Sequence, residues 1–207
     1  ALLHDPQPPR DADAVVMETT YGDRNHRALS DSVDEFYEAI RDAQKRGGKV
    51  IIPTFALERA QELLFFLKCG MEQGEVPRNL RVFVDSPMAI SATEIFERHP
   101  EGYKPEIRDM ITRGEDPFGL PELHFVRETS ESIALNQVRS GALIMAGSGM
   151  CTGGRVRHHL RHNLGHPDCS VIFVGFAAQG TLARTIVDGA KHVHLFGDDI
   201  PVRARIH

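Results

Sequence analysis

Short apolar runs alternate with amphipathic segments along most of this chain, and the alternation constrains its fold more than any other feature. The runs occupy residues 49–53, 80–84, 123–126, 142–146 and 170–174. Such runs are typical of strands that are buried on both faces, and the segments between them show helical periodicity. The sequence therefore predicts an α/β fold with a largely parallel sheet flanked by helices on both faces. Two strand-type segments surround Gly197, Asp198 and Asp199, which predicts a C-terminal β-hairpin with its turn at these three residues.

Residues that cap helices mark three of the predicted helix starts. Ser32 and Glu35 have the spacing of a capping box, and Thr54 is placed to cap the second helix. Asp85, Ser86 and Pro87 together give an N-cap and a first-turn proline, which predicts a third helix start directly after a strand. These signals fit the predicted order of strand and helix.

Composition is that of an ordinary globular protein and argues against several classes. Hydrophobic residues make up 41% of the 207, no apolar run approaches the length of a membrane span, and the first residues do not resemble a signal peptide. The three cysteines have no CxxC spacing, which argues against a disulfide framework or a thiolate zinc site and favours the cytoplasm. A net charge of −5 argues against nonspecific coating of nucleic acid but is compatible with a local basic cleft.

A glycine-rich stretch follows the run at 142–146 and is the main candidate for ligand binding. Glycines occupy positions 147, 149, 153 and 154, and a basic segment of helical character begins at Arg155. Bare backbone and a helix N-terminus favour an anion, so the stretch predicts a phosphate site. The Lys-Ser/Thr ending of a P-loop is absent, and Thr152 stands where a dinucleotide fingerprint has its third glycine. A glycine-rich turn without a ligand is the alternative.

Histidines in the same basic segment do not have the surroundings of a metal site. His158 and His162 are one helical turn apart, but no acid lies between them and three arginines are close in sequence. We therefore predict no metal ligands in this chain and interpret the segment as a basic helix face toward a polyanion. The sequence also contains no complete set of hydrolytic residues of the Ser-His-Asp kind.

Two further candidates lie near the ends of predicted strands. Residues 14–17 form an apolar run that predicts a buried strand, which places the carboxylate of Glu18 at the rim of the sheet. A solvated carboxylate paired with Arg24 or Arg27 is the alternative. Arg59 is near the edge where ligands of α/β folds bind, or it belongs to a surface ion-pair group with neighbouring glutamates.

Five stretches in matching order resemble the metallo-β-lactamase/β-CASP nucleases. They are residues 13–27, which contain METTYG, and residues 49–64, 82–89, 146–160 and 171–182. Within that group the chain is most similar to bacterial and archaeal RNA-processing hydrolases related to the endonuclease subunit of the cleavage and polyadenylation factor. The resemblance extends over nearly the whole chain and implies a Rossmann-like β-CASP domain.

The resemblance further implies a domain that acts beside a second one. In this family two zinc ions sit in a metallo-β-lactamase domain, bound in part by an HxHxDH motif that this sequence lacks, and the β-CASP domain covers the active site. Residues 1–24 are then expected to belong to the metallo-β-lactamase side, residues 25–200 to form the β-CASP domain, and residues 201–207 to return to the missing domain. The parent protein is expected to be a zinc-dependent ribonuclease, and this chain to hold no cofactor and to be inactive alone.

Individual residues take their expected roles from the same resemblance. Glu18 matches the motif A acid of the family, which positions a catalytic histidine that is missing here. The expected contacts to RNA phosphates are Ser148, Gly149, Thr152, Gly153 and Arg155, with Arg59 lining the same cleft. Expected partners are single-stranded RNA, the missing domain and a second copy of the chain in a homodimer. A nucleotide- or dinucleotide-binding domain and a non-catalytic RNA- or protein-interaction domain are the alternatives.

Overall fold

The computed structural model describes residues 2–207 and contains eight strands and seven α-helices in that range. The strands are β1 (Lys49–Pro53), β2 (Arg81–Val84), β3 (Leu123–Phe125), β4 (Ala142–Ala146), β5 (Ser170–Val171), β6 (His192–Leu195), β7 (Asp198–Pro201) and β8 (Arg205–Ile206). The helices are α1 (Leu29–Lys45), α2 (Arg59–Glu72), α3 (Pro87–Arg98), α4 (Pro105–Thr112), α5 (Thr129–Ala134), α6 (Val156–Asn163) and α7 (Leu182–Val187).

Six of the strands form one parallel sheet in the order β3-β2-β4-β1-β5-β8. β1 and β4 lie at its centre, and every residue of both strands is buried. Full burial explains why these two strands are apolar runs in the sequence, with Lys49 at the start of β1 as the exception. The predicted α/β fold class is confirmed.

The two faces of the sheet carry separate apolar cores. Val50 and Ile52 of β1 pack in one core with α1, α2, α3 and α4. Ile51 points to the other core, which contains α6, α7 and the β6–β7 hairpin. Alternate side chains of each strand therefore serve opposite faces, and beyond Lys49 at the first position of β1 a polar side chain in either central strand would be buried in an apolar core.

The connections after β1 and β4 leave the sheet toward opposite faces. β1 leads to α2 on one face, and its neighbour β4 leads to α6 on the other. Thr54 N–H donates to the carbonyl of Ala146 at 3.0 Å, so the two chain segments lie side by side as they diverge. A crevice at such a switch point is where ligands of open parallel sheets bind.

Three local predictions are wrong in this structure. Residues 14–17 form no strand, and Val15, Val16 and Met17 are exposed, because no strand within residues 2–207 pairs with them. Ser32 lies inside α1, which begins at Leu29, and its Oγ donates to a carbonyl of the preceding turn.

The third wrong prediction is the cap on α2, and the cap on α3 is confirmed. Thr54 does not cap α2, since that helix starts after Glu58, a residue in the left-handed region at φ 63°. Ser86 does cap α3, and its Oγ accepts from the N–H of Ala89 at 3.2 Å.

The C-terminal hairpin is confirmed with a shifted turn. Phe196 and Gly197 have positive φ angles of 54° and 87°, so they form the tight turn, and Asp198 and Asp199 belong to β7. Residues 205–206 then form β8, which pairs in parallel with β5 at the edge of the main sheet. The expected division of the chain at residues 24 and 200 stays a prediction.

Candidate functional site

The glycine loop, residues 147–155, closes on itself at the carboxyl end of β4. Ser148 Oγ accepts from the N–H groups of Thr152 and Gly153 at 3.2 and 3.3 Å. Ser148 N–H donates to the carbonyl of Gly153 at 3.2 Å, and Val156 N–H donates to that of Gly147 at 3.1 Å. The Ser148 side chain therefore holds the loop in shape from inside.

Three glycines of the loop differ in the space that a side chain would have at their positions. A Cβ on Gly154, which has φ +76°, would lie 2.3 Å from the carbonyl oxygen of Gly147. A Cβ on Gly149 would lie 2.9 Å from the ring of Phe55, which follows β1. No heavy atom of residues 2–207 lies within 4 Å of the Cβ position of Gly153, so the space on that side of its Cα is open. Packing thus explains Gly149 and Gly154, whereas Gly153 leaves room for a ligand to approach the chain.

Arg155 ends the loop and turns toward the protein interior. Its Nη1 donates to Asp85 Oδ1 at 2.7 Å and to the carbonyl of Val126 at 3.1 Å. Its Nη2 donates to the carbonyl of Arg127 at 2.7 Å. The guanidinium therefore ties the glycine loop to the segments that follow β2 and β3.

Asp85 is fully buried, and its carboxylate accepts hydrogen bonds from three side chains. We call Asp85 and these three residues the Asp85 cluster. Besides Arg155, the donors are Ser132 Oγ at 2.5 Å and His159 Nε2 at 2.6 Å, both to Oδ2. Burial opposes ionisation of Asp85, but the hydrogen bonds from His159, Ser132 and Arg155 outweigh it and leave the pKa of the carboxyl below its ordinary value. Asp85 is therefore an ionised acceptor, and the buried Nδ1 of His159 has no hydrogen-bond partner among residues 2–207.

The structure does not place Glu18 with the glycine loop. Glu18 is exposed, and its carboxylate accepts from the N–H of Thr20 at 2.8 Å. Hydrogen bonding from Thr20 lowers the pKa of this carboxyl. Within residues 2–207 no hydrogen bond or ion pair joins Glu18 to the other predicted site residues.

Arg59 lies on the first turn of α2, on the opposite face of the sheet from α6. Its Nη1 donates to Glu62 at 2.5 Å, so the alternative of a surface ion pair is seen in the structure. Arg59 also lines a cleft with Tyr21, Phe173 and His207. The predicted phosphate contacts thus fall into two groups, the glycine loop and this cleft.

The basic side chains of α6 pack against the hairpin. The His158 ring stacks on Phe196 with 4.4 Å between centroids, and the Arg157 guanidinium lies 5.0 Å from the same ring. Arg161 pairs with Asp198 at 2.5 Å. The basic face of α6, which the sequence predicts to face a polyanion, therefore contacts the β6–β7 hairpin in this structure.

Comparison with known sequences identifies the family. A sequence model described as the Beta-Casp domain matches residues 60–186, which is more than half of the chain. The chain belongs to the β-CASP domain family. The matched region of this β-CASP domain contains the Asp85 cluster, the glycine loop and all strands of the sheet except β1 and β8.

Curated relatives extend the likeness over more of the chain. Ribonuclease TTHA0252 of Thermus thermophilus is 39% identical over 206 residues, which are 100% of this chain and 47% of that protein. An RNase J-like protein of Methanocaldococcus jannaschii is 31% identical, with 94% and 44% covered. Transcription termination factor FttA of Thermococcus kodakarensis is 33% identical, with 90% and 29% covered. The chain spans less than half the length of each of these relatives.

The pair of zinc ions that the resemblance implies does not fit the described residues of this β-CASP domain. Between residues 2 and 207, no group of three or more His, Cys, Asp or Glu side chains has the arrangement to hold a metal ion. His159, the most buried histidine of the basic segment, is engaged with Asp85. No catalytic step through zinc is therefore assigned to these residues. No helix in the same range has the length and apolarity to span a membrane.

Sequence reasoning missed Asp85, Ser132 and His159. A carboxylate directly after a buried strand was the available signal, since this position lies at the edge of the sheet where ligands bind. Asp85 was interpreted only as part of a helix start. Its three partners lie 47, 70 and 74 residues further along the chain, and spacing alone does not bring them together.

Proposed function

We propose that this β-CASP domain is the RNA-binding, active-site-covering part of a zinc-dependent RNA phosphodiester hydrolase, and that the chain alone does not cleave RNA. The relatives named ribonuclease and RNase J-like support the substrate and the reaction. The coverage of less than half of each relative supports a role beside another domain. Residues outside 2–207 would hold the zinc ions.

The observation that carries the proposal is the open space beside the Cα of Gly153 at the switch-point crevice. Thr152 is exposed next to it, and α6 begins two residues after Gly154, which adds partial positive charge at the helix N-terminus. A phosphate of single-stranded RNA reaches the Gly153 backbone from this open side, and a phosphate oxygen then takes the hydrogen bond that the Gly153 N–H gives to Ser148 Oγ in the free chain. Ser148 and Arg155 support the loop from inside, through Gly153 and Asp85 respectively.

Glu18 keeps its predicted role as part of this proposal. This carboxylate would orient a histidine contributed by another part of the protein, and that histidine would act as general acid. The hydrogen bond from Thr20 already holds Glu18 ionised, as such a role requires.

Two measurements on the purified chain test the proposal. Labelled single-stranded RNA is expected to bind with an affinity that falls as salt rises, since phosphate contacts release counterions. Elemental analysis is expected to find no stoichiometric zinc, and gel assays no cleavage. About two zinc atoms per chain would refute the proposal that zinc is held by another part of the protein. Binding of NAD but not of RNA would refute the proposal that RNA is the substrate.

A further inference from the structure

A cleft of about 620 Å³ opens beside the first turns of α1 and α2. Its walls are α1, the start of α2, residues 172–175 after β5, and the segment that contains Tyr21 and Arg27. We call it the α1–α2 cleft. Pockets for small organic ligands measure about 300–1,000 Å³, so this cleft has the volume for a single nucleotide.

Aromatic side chains form much of the lining. Phe66 and Phe173 are half-buried in the wall, and Tyr21 is exposed at the rim. The Tyr21 ring packs edge-on against His26 and Phe176, with centroid distances of 4.4 and 5.7 Å. Aromatic rings in such a setting stack on nucleobases of any sequence.

Two arginines from opposite walls supply positive charge. Arg27 pairs with Glu35 at 2.6 Å, and Arg59 pairs with Glu62 at 2.5 Å. Each pair uses Nη1 of a guanidinium that carries five donors. The Arg27–Glu35 pair is exposed on both sides, and such pairs contribute about 0–1 kcal/mol, whereas the Glu62 side chain is only 12% exposed, so Arg59 is expected to keep that pair and offer its other donors.

Phe55 connects the α1–α2 cleft with the glycine loop. Its ring lies 2.9 Å from the Cβ position of Gly149 in the loop and 3.7 Å from that of Gly175 in the cleft wall. The Phe55 side chain is 45% exposed although it lies between the glycine loop and the wall of the α1–α2 cleft. A flat, open ring therefore lies on the path from one site to the other.

We propose that the α1–α2 cleft is a second subsite for single-stranded RNA, which takes one unpaired nucleotide, with Phe55 as the base-stacking surface between it and the glycine loop. The inference rests on the proposed function and adds a site to it. Arg27 and Arg59 bind phosphate through guanidinium donors other than the Nη1 groups that face their glutamates, and the aromatic lining receives the base. The occupant is a nucleotide rather than an apolar ligand because the guanidinium groups of Arg27 and Arg59 line the cavity and outnumber the one acidic side chain among its described lining residues, Glu35.

Fluorescence anisotropy with a labelled eight-nucleotide single-stranded RNA tests the stacking surface. Phe55→Leu keeps apolar bulk without a flat ring and is expected to weaken binding about 5- to 150-fold. Phe55→Tyr is expected to stay within about twofold of the wild type. The matched control is Phe125→Leu, because Phe125 is 42% exposed and does not line the cleft, and it is expected to leave binding unchanged.

The salt dependence of the same binding tests the phosphate contact. Arg59→Ala is expected to reduce the slope of log K against log salt by about 0.7, the value for one phosphate of a single strand. Arg113→Ala removes an exposed arginine that pairs with Glu115 outside the cleft and is expected to leave the slope unchanged. Melting temperatures of all variants by circular dichroism separate lost contacts from lost structure.

The outcomes distinguish the subsite from the proposed function. If the wild type binds RNA and the folded Phe55→Leu and Arg59→Ala variants bind it equally well, the subsite is refuted and the proposed function stands. If the wild type does not bind RNA, both are refuted. Weakened binding confined to the cleft variants and absent from the controls supports the subsite.

Discussion

Replacing Asp85 by Asn is expected to destabilise the fold more than any exposed substitution. Asn has the shape of Asp but one acceptor oxygen instead of two and no charge. In Asp85, Oδ1 accepts from Arg155, and Oδ2 accepts from His159 and Ser132. Because Asn keeps only one of these oxygens, either Arg155 or the pair of His159 and Ser132 loses its acceptor. An amide N–H₂ then faces donors in a buried site.

The cost can be worked out from this geometry. Charge-assisted hydrogen bonds contribute about 1.5–3 kcal/mol each, and breaking a buried charged pair costs about 3–5 kcal/mol. We expect Asp85→Asn to lower the free energy of unfolding by about 3–5 kcal/mol, a large part of the 5–15 kcal/mol of a typical domain. Urea denaturation followed by circular dichroism measures it. Asp109→Asn, at an exposed position, is the control and is expected to change stability by less than about 0.5 kcal/mol.

The sign of the pH dependence follows from the lowered pKa of Asp85. Its stabilising contribution is present above the unfolded pKa of about 3.9 and is lost as the pH falls through the lower folded pKa. The difference between wild type and Asp85→Asn should therefore be constant near neutral pH and shrink in strong acid. A variant within about 0.5 kcal/mol of the wild type at pH 7 would refute the view that the cluster holds these segments together.

Two further predictions concern the loop and the predicted catalytic carboxylate. Gly154→Ala is expected to cost about 2 kcal/mol or more in urea denaturation, because φ is +76° and the carbonyl of Gly147 is too close. Gly153→Ala has free space and is expected to keep stability but weaken RNA binding severalfold; equal effects of both substitutions would contradict the assignment. In the parent enzyme, Glu18→Gln is expected to lower kcat about 100-fold with zinc content unchanged, and unaltered turnover would remove Glu18 from the site.

The sequence predicted the framework because the central strands carry their own signal. β1 and β4 are buried on both faces, so each appears as a continuous apolar run, and their order along the chain predicts the parallel sheet. The same rule was wrong for residues 14–17, whose apolar character needs a partner strand that the described residues do not provide. An apolar run indicates that a segment is stabilised by burial, but it does not show whether a strand is available to pair with it.

The orientation of Arg155 was beyond sequence reasoning for a similar reason. A basic residue at the end of a glycine loop has the same local pattern whether it faces a phosphate or a buried acid. Only the fold places Asp85 within 2.7 Å of its guanidinium, across 70 residues of chain. Its predicted contact with RNA stays a prediction, while its contact with Asp85 is observed.

The central claim is that single-stranded RNA lies against the glycine loop of this chain. Photocrosslinking with an RNA that carries a photoreactive uridine, followed by mass spectrometry of the crosslinked peptides, tests it most directly. We predict crosslinks in residues 147–155 and at Phe55, which the ring packing places beside Gly149. Crosslinks confined to the β6–β7 hairpin or to the edge strand β3 would contradict the account.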